Sequence, residues 1–220
     1  TDAVSYVEEI IKLEGIELIG IGTNLTCFGG VLPSIDNLGL LANIAEEIES
    51  TYHIKLEVVT GGNSSSVYLI EDGQIPSKIN QLRFGEAILF GTEFAYGQRI
   101  KNTYSDVFKL YAQIVELKEK RSIPIGEIGL DAFGQKPVFV DKGIRKRAIL
   151  GIGKQDVRIE SITPIDNEIS VLGASSDHLI VDVTDSEREY EVGDVIEFNV
   201  LYPAVLSLMT SEYVNKMIIK

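Results

Sequence analysis

The sequence predicts an α/β part over residues 1–100 and a β-rich part over residues 101–220. In the first part, apolar residues recur at helical spacing between short apolar runs, an alternation typical of βα units. Beyond residue 107, apolar and polar residues alternate one by one, as in half-buried strands, and turn signals separate the segments. The second part is therefore predicted to be a small β-barrel or sandwich.

The α/β part has room for three or four βα units. Because a closed TIM-type (β/α)8 barrel needs eight such units, this part is predicted to be half of one, with a strand edge left open for another segment or chain. Its predicted elements are a helix carrying Val4, Val7 and Ile11, a strand over 16–21, a helix capped by Asp36, and strands over 54–59 and 82–84.

The β-rich part contains six segments with a strand pattern. A basic stretch over 142–147 leads into one of them and is interpreted as a solvated strand edge, with an anion site as the alternative. The predicted strands begin near Phe108 and continue over 147–152, 157–162, 169–172, 179–183 and 195–200.

Composition excludes several classes of function. The 220 residues carry a formal net charge of −13, and without a basic stripe the chain is not expected to bind nucleic acid. No apolar run approaches the ~18 residues that cross a bilayer, so no membrane partner is expected. Cys27 is the single cysteine, which precludes an intrachain disulfide, and with no secretory signal pattern the expected compartment is the cytoplasm. No metal site is predicted.

Polar residues cluster where the predicted strands of the α/β part end, which is where α/β barrels carry function. The turn over 61–66, Gly-Gly-Asn-Ser-Ser-Ser, offers close backbone approach, hydroxyls and free N–H groups; it favours an anion, with an ordinary loop as the alternative. Arg83 lies in an apolar segment, where an unpaired guanidinium is costly. It faces a ligand or forms a structural ion pair with Glu86. Together, the turn and Arg83 favour a phosphorylated cofactor.

Four segments resemble, in the same order, motifs of alanine-racemase-like, fold-type III pyridoxal-phosphate enzymes. The similarity extends over essentially the whole chain and is strongest to a group of predicted amino-acid racemases that includes ornithine racemase. The resemblance implies the C-terminal half of the barrel and the β-domain that follows it. The segments lie at 20–24 (Gly-Ile-Gly-Thr-Asn), 62–66 (Gly-Asn-Ser-Ser-Ser), 82–87 (Leu-Arg-Phe-Gly-Glu-Ala) and 173–184, which contains Ser-Ser-Asp-His.

The resemblance implies cofactor contacts in the α/β part. Ser64 and Ser65, with the backbone at Gly85 and Glu86, would hold the phosphate of pyridoxal 5′-phosphate. Asn63 is assigned to the same cofactor-binding turn.

The resemblance also implies contacts to the cofactor ring. Arg83 would face the pyridine nitrogen and leave it unprotonated, because an arginine keeps its own proton. The ring is then a weaker electron sink, which suits a racemase since it limits transamination. Asn24 stands where alanine racemases have a histidine against the ring.

In the β-rich part, the resemblance implies a substrate loop. Asp177, with the backbone around Ser176, would receive the carboxylate of a free amino acid from the neighbouring subunit, so a homodimer is expected. Tyr202 and Tyr213 are the candidates for a tyrosine near the cofactor phosphate, with a core aromatic as the alternative for each.

Two residues of the family pattern are missing. The cofactor-binding lysine at the end of the first barrel strand has no counterpart here, so it is expected in a segment preceding Thr1. The tyrosine that acts as the second base is also absent; Asp131 is its candidate substitute or a plain turn residue. The chain alone is therefore expected to be inactive.

The function predicted from the resemblance is interconversion of L- and D-amino acids, of alanine or ornithine type, by a two-base transfer of the α-proton. Three alternatives are weaker. A basic-amino-acid decarboxylase would have a cysteine before Asp177, and a D-amino-acid lyase would have metal ligands late in the chain. A non-catalytic module that binds a phosphorylated ligand is the third.

Overall fold

The computed structural model describes residues 3–130, 134 and 136–219. The chain divides into two compact units, residues 1–105 and 106–220. The first contains a two-stranded parallel sheet and the second a six-stranded antiparallel sheet. Asp131, the predicted substitute base, lies outside the described residues.

In the first unit, helices alternate with two short strands: α1 (Ala3–Ile10), β1 (Gly20–Gly22), α2 (Ile35–Tyr52), β2 (Val58–Thr60), α3 (Val67–Glu71) and α4 (Glu86–Phe90). The strands pair in parallel from Gly20 opposite Val58 to Gly22 opposite Thr60. A 3-10 turn, Ser64–Ser66, leads directly into α3. The predicted βα alternation is present, with strands shorter than predicted.

The longest helix, α2, supplies much of the first unit's core. It begins at Ser34, whose Oγ accepts a hydrogen bond from the Asn37 N–H while the Asn37 side chain accepts one from the Ser34 N–H. The predicted cap, Asp36, is wrong: it lies in the first turn, where its charge suits the helix N-terminus. The core combines buried side chains of α1, α2 and the β2 segment, namely Val4, Val7, Leu38, Leu41, Ala45, Ile48, Leu56 and Val59.

The predicted third strand over 82–84 is not formed. A single parallel bridge joins Thr60 to Gln81, after which the Arg83 N–H donates to the Gly62 carbonyl at 2.8 Å. The Asn80 N–H also donates to the Val59 carbonyl and the Gly61 N–H to the Gln81 carbonyl, but these hydrogen bonds form one isolated bridge and residues 82–84 add no further pair to it. The segment nevertheless brings Arg83 alongside the glycine turn after β2.

The described residues of the second unit form six strands and one helix: β3 (Lys109–Arg121), β4 (Ile144–Leu150), β5 (Ile162–Pro164), β6 (Ser170–Ala174), β7 (Leu179–Asp182), β8 (Val195–Val200) and α5 (Tyr202–Thr210). Their order is β5-β8-β3-β4-β7-β6, with every pair antiparallel. The two edge strands approach each other, so the sheet is a nearly closed barrel. Its interior is filled by alternate apolar residues, including Leu110, Ala112, Ile114, Ala148, Leu150, Leu179, Val181, Ile196 and Phe198.

Two predictions for the second unit are wrong. The segment 157–162 is mostly turn, because the Val157 N–H bonds back to the Gly153 carbonyl and a 3-10 turn covers Ile159–Ser161. The basic stretch is not a solvated edge, because β4 lies inside the sheet between β3 and β7. There Arg145 pairs with Asp182 and Asp185. Among the described residues, no helix is both long and apolar enough to cross a membrane.

Candidate active site

The turn after β2 is shaped by two glycines. A Cβ at Gly61 would lie 2.7 Å from the Ile79 side chain, and Gly62 has a φ of +107°, which other residues rarely adopt. The chain then enters the 3-10 turn Ser64–Ser66, where the Asn63 Oδ1 accepts a hydrogen bond from the Ser65 N–H at 2.8 Å. All three serines are buried. The predicted Gly/Ser segment is thus a tight, ordered turn.

Ser64 joins this turn to the start of α4. Its Oγ accepts hydrogen bonds from the Ala87 N–H at 3.1 Å and, more weakly, from the Gly85 N–H at 3.4 Å. Since the oxygen already serves as an acceptor, the hydroxyl proton remains for an outside acceptor. Two segments that the sequence analysis assigned to one phosphate are therefore in contact.

The turn contains donors that need an acceptor. The Ser65 Oγ is fully buried and makes no hydrogen bond with any described residue. A buried polar group without a partner is costly, and a phosphate oxygen would supply one. A Cβ added at Gly85 would meet no atom within 4 Å, so the space beside this turn is open. The residues present fit a bound phosphate.

Arg83 is held by neutral oxygens of the two strand ends. Its Nη1 donates to the Thr60 Oγ1 at 2.7 Å, and its Nη2 donates to the Thr23 carbonyl at 2.9 Å. The alternative of an ion pair with Glu86 is wrong: within the described ranges, no carboxylate lies within salt-bridge distance of Arg83. The guanidinium therefore keeps an uncompensated positive charge beside the turn. Thr60 was not predicted as a site residue; its one signal in the sequence is a hydroxyl at the end of an apolar strand.

The Glu86 side chain turns away from Arg83. Its Oε1 accepts from the Thr92 hydroxyl at 3.1 Å, whereas its Oε2 is buried with no partner among the described residues. Burial, and then the carboxylate of Glu93, raise the pKa of Glu86, and the bond from Thr92 only partly opposes them. The contribution of Glu86 to an anion site therefore comes from its main-chain N–H rather than its carboxylate.

The remaining predicted ring contact, Asn24, lies in the turn after β1. Its Oδ1 accepts a hydrogen bond from the Asn63 Nδ2 at 2.9 Å. This contact brings the turns that follow β1 and β2 together, as the carboxyl ends of neighbouring parallel strands require.

The predicted substrate loop lies in the second unit. The Asp177 Oδ1 accepts from the Ser176 hydroxyl at 3.1 Å and from the Ser175 hydroxyl at 3.2 Å, and it lies 3.1 Å from the His178 Nδ1. The hydrogen bonds from Ser176 and Ser175, with the charge of the nearby His178, lower the pKa of Asp177 despite partial desolvation, so its side chain stays anionic. Tyr202 is the first residue of α5 and is half-buried, and Tyr213 is exposed.

Two curated proteins are similar to this chain along nearly its whole length. It is 57% identical over 215 residues to ornithine racemase of Acetoanaerobium sticklandii and 44% identical over 210 residues to lysine racemase of Thermotoga maritima. The chain belongs to the alanine-racemase-like, fold-type III family. The alignments cover 98% and 96% of this chain but 61% and 59% of those proteins, so the chain spans about three fifths of their length. No family model matches it.

The fold of this family member is also that of a solved alanine racemase. The structure of alanine racemase from Bartonella henselae with covalently bound pyridoxal phosphate matches with a TM-score of 0.57, at 17% identity, over 94% of this chain and 54% of that chain. The family resemblance predicted from four motifs is confirmed. The cofactor bound in the Bartonella protein implies pyridoxal phosphate for the family.

Proposed function

We propose that this chain is the C-terminal part of a pyridoxal-phosphate-dependent racemase of free amino acids. The observation that carries the proposal is the turn after β2, where Ser64 contacts the start of α4 and Ser65 has a buried hydroxyl without an acceptor. This turn lies in a sequence that is 57% identical to an ornithine racemase.

The serine turn would hold the cofactor phosphate. The Ser64 and Ser65 hydroxyls and the main-chain N–H of Glu86 are donors without a hydrogen-bond acceptor in the described part of the chain. Hydrogen bonds to a charged oxygen are about twice as strong as neutral ones, so a phosphate is the acceptor that suits them. Gly85 leaves the approach open because it has no side chain.

Arg83 would face the pyridine nitrogen. When bound, pyridoxal phosphate withdraws electron density from the α-carbon of an amino acid and so makes its α-proton easier to remove. Thr60 and the Thr23 carbonyl hold the guanidinium at two points, which leaves further N–H donors for the ring nitrogen. A donor that keeps its proton limits how much charge the ring accepts, which favours return of the proton to the α-carbon.

The rest of the active site would come from outside this unit. No lysine here has the sequence setting of the family's cofactor lysine, so we assign that lysine to a segment outside this chain. The first unit would then be the C-terminal half of a TIM-type barrel, in which the free edge of β1 pairs with another strand. In the proposed homodimer, the β-rich unit of one subunit completes the site of the other. Asp131 stays the predicted second base and Tyr202 the predicted phosphate contact.

The substrate class we propose is a free basic amino acid, because the two similar curated proteins are named for ornithine and lysine. The substrate carboxylate is assigned to the Ser176 N–H, which has no acceptor in the described part of the chain. The Asp177 side chain is anionic, so it repels a carboxylate and attracts an ammonium group. The carboxylate contact that the resemblance implied for Asp177 is therefore assigned to the main chain of this loop alone, and the Asp177 side chain suits an amino group of such a substrate.

The test is racemisation by the full-length protein. The protein, stripped of cofactor, is incubated with L-ornithine, L-lysine or L-alanine with and without added pyridoxal phosphate, and both enantiomers are separated by chiral chromatography. We expect D-isomers only when the cofactor is added, and faster reaction with the two basic amino acids. Release of carbon dioxide without any D-isomer, or cofactor binding without reaction, would contradict the proposal.

A further inference from the structure

Both amide hydrogens of Asn63 are used within the protein. Its Nδ2 donates to the Asn24 Oδ1 and to the Leu25 carbonyl, each at 2.9 Å. Its Oδ1 accepts from the Ser65 N–H. Since a carboxamide nitrogen carries two hydrogens, none is left to donate to a ligand. The family-based expectation that Asn63 binds the cofactor itself therefore does not match its contacts.

The contact from Asn63 fixes which end of Asn24 is available. Because the Asn24 Oδ1 is the acceptor for Asn63, its Nδ2 is the free end of the carboxamide. Asn24 is exposed, and its Nδ2 has no acceptor in the described part of the chain. Asn24 therefore presents its amide donors beside the serine turn, while Asn63 holds its Oδ1.

We propose that Asn63 is a positioning residue that fixes the Asn24 carboxamide, so that Asn24 donates a hydrogen bond to an acceptor atom of the bound cofactor. This inference rests on the proposed function and deepens it. Asn63 also starts the turn that contains Ser65, so one side chain connects the ring side of the site to its phosphate side. A change at Asn63 thus affects cofactor binding through Asn24 as well as through the turn.

Asn80 provides a matched comparison within the same unit. Its Oδ1 accepts from the Val59 N–H at 2.9 Å and its Nδ2 donates to the Glu57 carbonyl at 2.7 Å. The side chain thus bridges main-chain groups as Asn63 does, but within the described residues it bonds no other side chain. A substitution of Asn80 measures the effect of losing such a bridge on stability alone.

The test compares Asn63→Ser, Asn24→Ala, their double variant and Asn80→Ser in the full-length protein. Serine keeps an N-cap acceptor for the Ser65 N–H but cannot donate to both Asn24 and Leu25. The dissociation constant of pyridoxal phosphate is measured by equilibrium dialysis, together with visible circular dichroism of the bound cofactor. We expect Asn63→Ser and Asn24→Ala each to weaken binding of pyridoxal phosphate about 3- to 10-fold. The double variant should bind the cofactor no more weakly than the single variant with the lower affinity. Asn80→Ser should lower the unfolding midpoint and leave the dissociation constant unchanged.

Two outcomes would overturn the inference. One is an Asn63→Ser protein with wild-type affinity and dichroism, and the other is a double variant whose losses multiply, since independent sites add their free energies. If Asn63→Ser does not fold, unchanged affinity in Asn24→Ala overturns the inference and weakened affinity supports it, because Asn24 lies exposed in a turn. Wild-type protein that binds no pyridoxal phosphate overturns the proposed function and this inference together.

Discussion

The Ser64 hydroxyl oxygen lies 3.1 Å from the main-chain nitrogen of Ala87, a residue 23 positions later in the chain. This contact joins the turn after β2 to the first turn of α4. Each of the two elements is short, and their relative position depends on a side chain that also keeps a proton for a ligand. Stability of the turn and binding of an anion are therefore coupled at one residue.

Replacement of Ser64 by alanine tests this coupling. The variant loses the acceptor for two N–H groups and one proposed phosphate donor. We expect full-length Ser64→Ala to bind pyridoxal phosphate about 10- to 100-fold more weakly, because a hydrogen bond to a charged group contributes about 1.5–3 kcal/mol. Fluorescence titration of the cofactor measures the change. Ser50→Ala is the control, since the Ser50 hydroxyl donates to the Glu47 carbonyl within α2. Equal affinities of the two variants for pyridoxal phosphate would contradict the assignment.

Replacement of Thr60 by valine tests how Arg83 is held. The substitution removes the acceptor of the Arg83 Nη1 with little change in volume, while the bond to the Thr23 carbonyl remains. We expect kcat for racemisation to fall about 5- to 10-fold with a smaller change in KM, since a loosely held group stabilises the transition state less well. Steady-state kinetics of the full-length protein measure both constants.

The control for Thr60→Val is Thr163→Val, an exposed strand threonine of the second unit. Valine suits a strand at either position, so a general effect of the substitution would lower kcat equally in both variants. That equal loss would refute a special role for Thr60.

Glu86 makes the stability of the first unit depend on pH. Burial and the Glu93 carboxylate raise its pKa in the folded protein, so the folded state binds this proton more tightly than the unfolded chain. The resulting stabilisation is present below the ordinary value of 4.5 and is lost as the pH rises through the folded pKa. Glu86→Gln removes this loss, so its free energy of unfolding relative to wild type should increase from about pH 4 to about pH 8.

Urea unfolding at several pH values, followed by circular dichroism, measures the difference. Glu71→Gln, at an exposed glutamate of α3, serves as the control. Its free energy of unfolding should change with pH as that of wild type does. If the free energy of unfolding of Glu86→Gln also changed with pH as that of wild type does, the Glu86 carboxyl would not be the source of the pH dependence.

The buried ion pair of the second unit should contribute more to the free energy of unfolding than an exposed ion pair does. Asp182 is buried and accepts hydrogen bonds from the Arg145 Nε at 2.7 Å and from Thr184. We expect Asp182→Asn to lower the free energy of unfolding by about 1–3 kcal/mol, because among the described residues Arg145 then keeps only its exposed partner Asp185 and the Thr184 hydroxyl loses a charged acceptor. Glu189→Gln, in the exposed pair with Lys146, should lower it by about 0–1 kcal/mol. Equal losses in urea unfolding would contradict this ranking.

The same pair has a predicted response to acid. Burial alone would raise the pKa of Asp182, but the bonds from Arg145 and Thr184 outweigh burial and lower it. The stabilisation is therefore present above the ordinary value of 3.8 and is lost as the pH falls through the folded pKa. The difference in free energy of unfolding between wild type and Asp182→Asn should therefore shrink in acid. A difference independent of pH would show that the Asp182 charge is not its source.

The sequence predicted those elements in which the spacing of apolar residues matches the hydrogen-bonded structure that forms. The strand over 195–200 was predicted from alternation and is formed by the same residues as β8. The segment 157–162 has a similar apolar content, but the Val157 N–H bonds to the Gly153 carbonyl, which a periodicity cannot reveal. α5 was not predicted, although Pro203 in its first turn and the spacing of Ala204 and Leu208 are helix signals.

In the candidate site, the residue types were predictable and their partners were not. The turn over 61–66 and Arg83 stand out because their side chains are unusual after or within apolar strands. The partners of Arg83 depend on the β1–β2 register, which brings Thr60 and the Thr23 carbonyl together from distant parts of the sequence. The sequence-based pairing of Arg83 with Glu86 was wrong because α4 directs the Glu86 side chain toward Thr92.

Borohydride reduction of the full-length protein with one equivalent of pyridoxal phosphate, followed by peptide mapping, tests most directly whether this chain anchors a cofactor whose lysine lies elsewhere. We predict a single pyridoxyl-lysine outside these 220 residues, and no fixed cofactor when the 220 residues are treated alone. A pyridoxyl group on a lysine within the 220 residues, or full-length protein that retains no cofactor, would contradict this assignment.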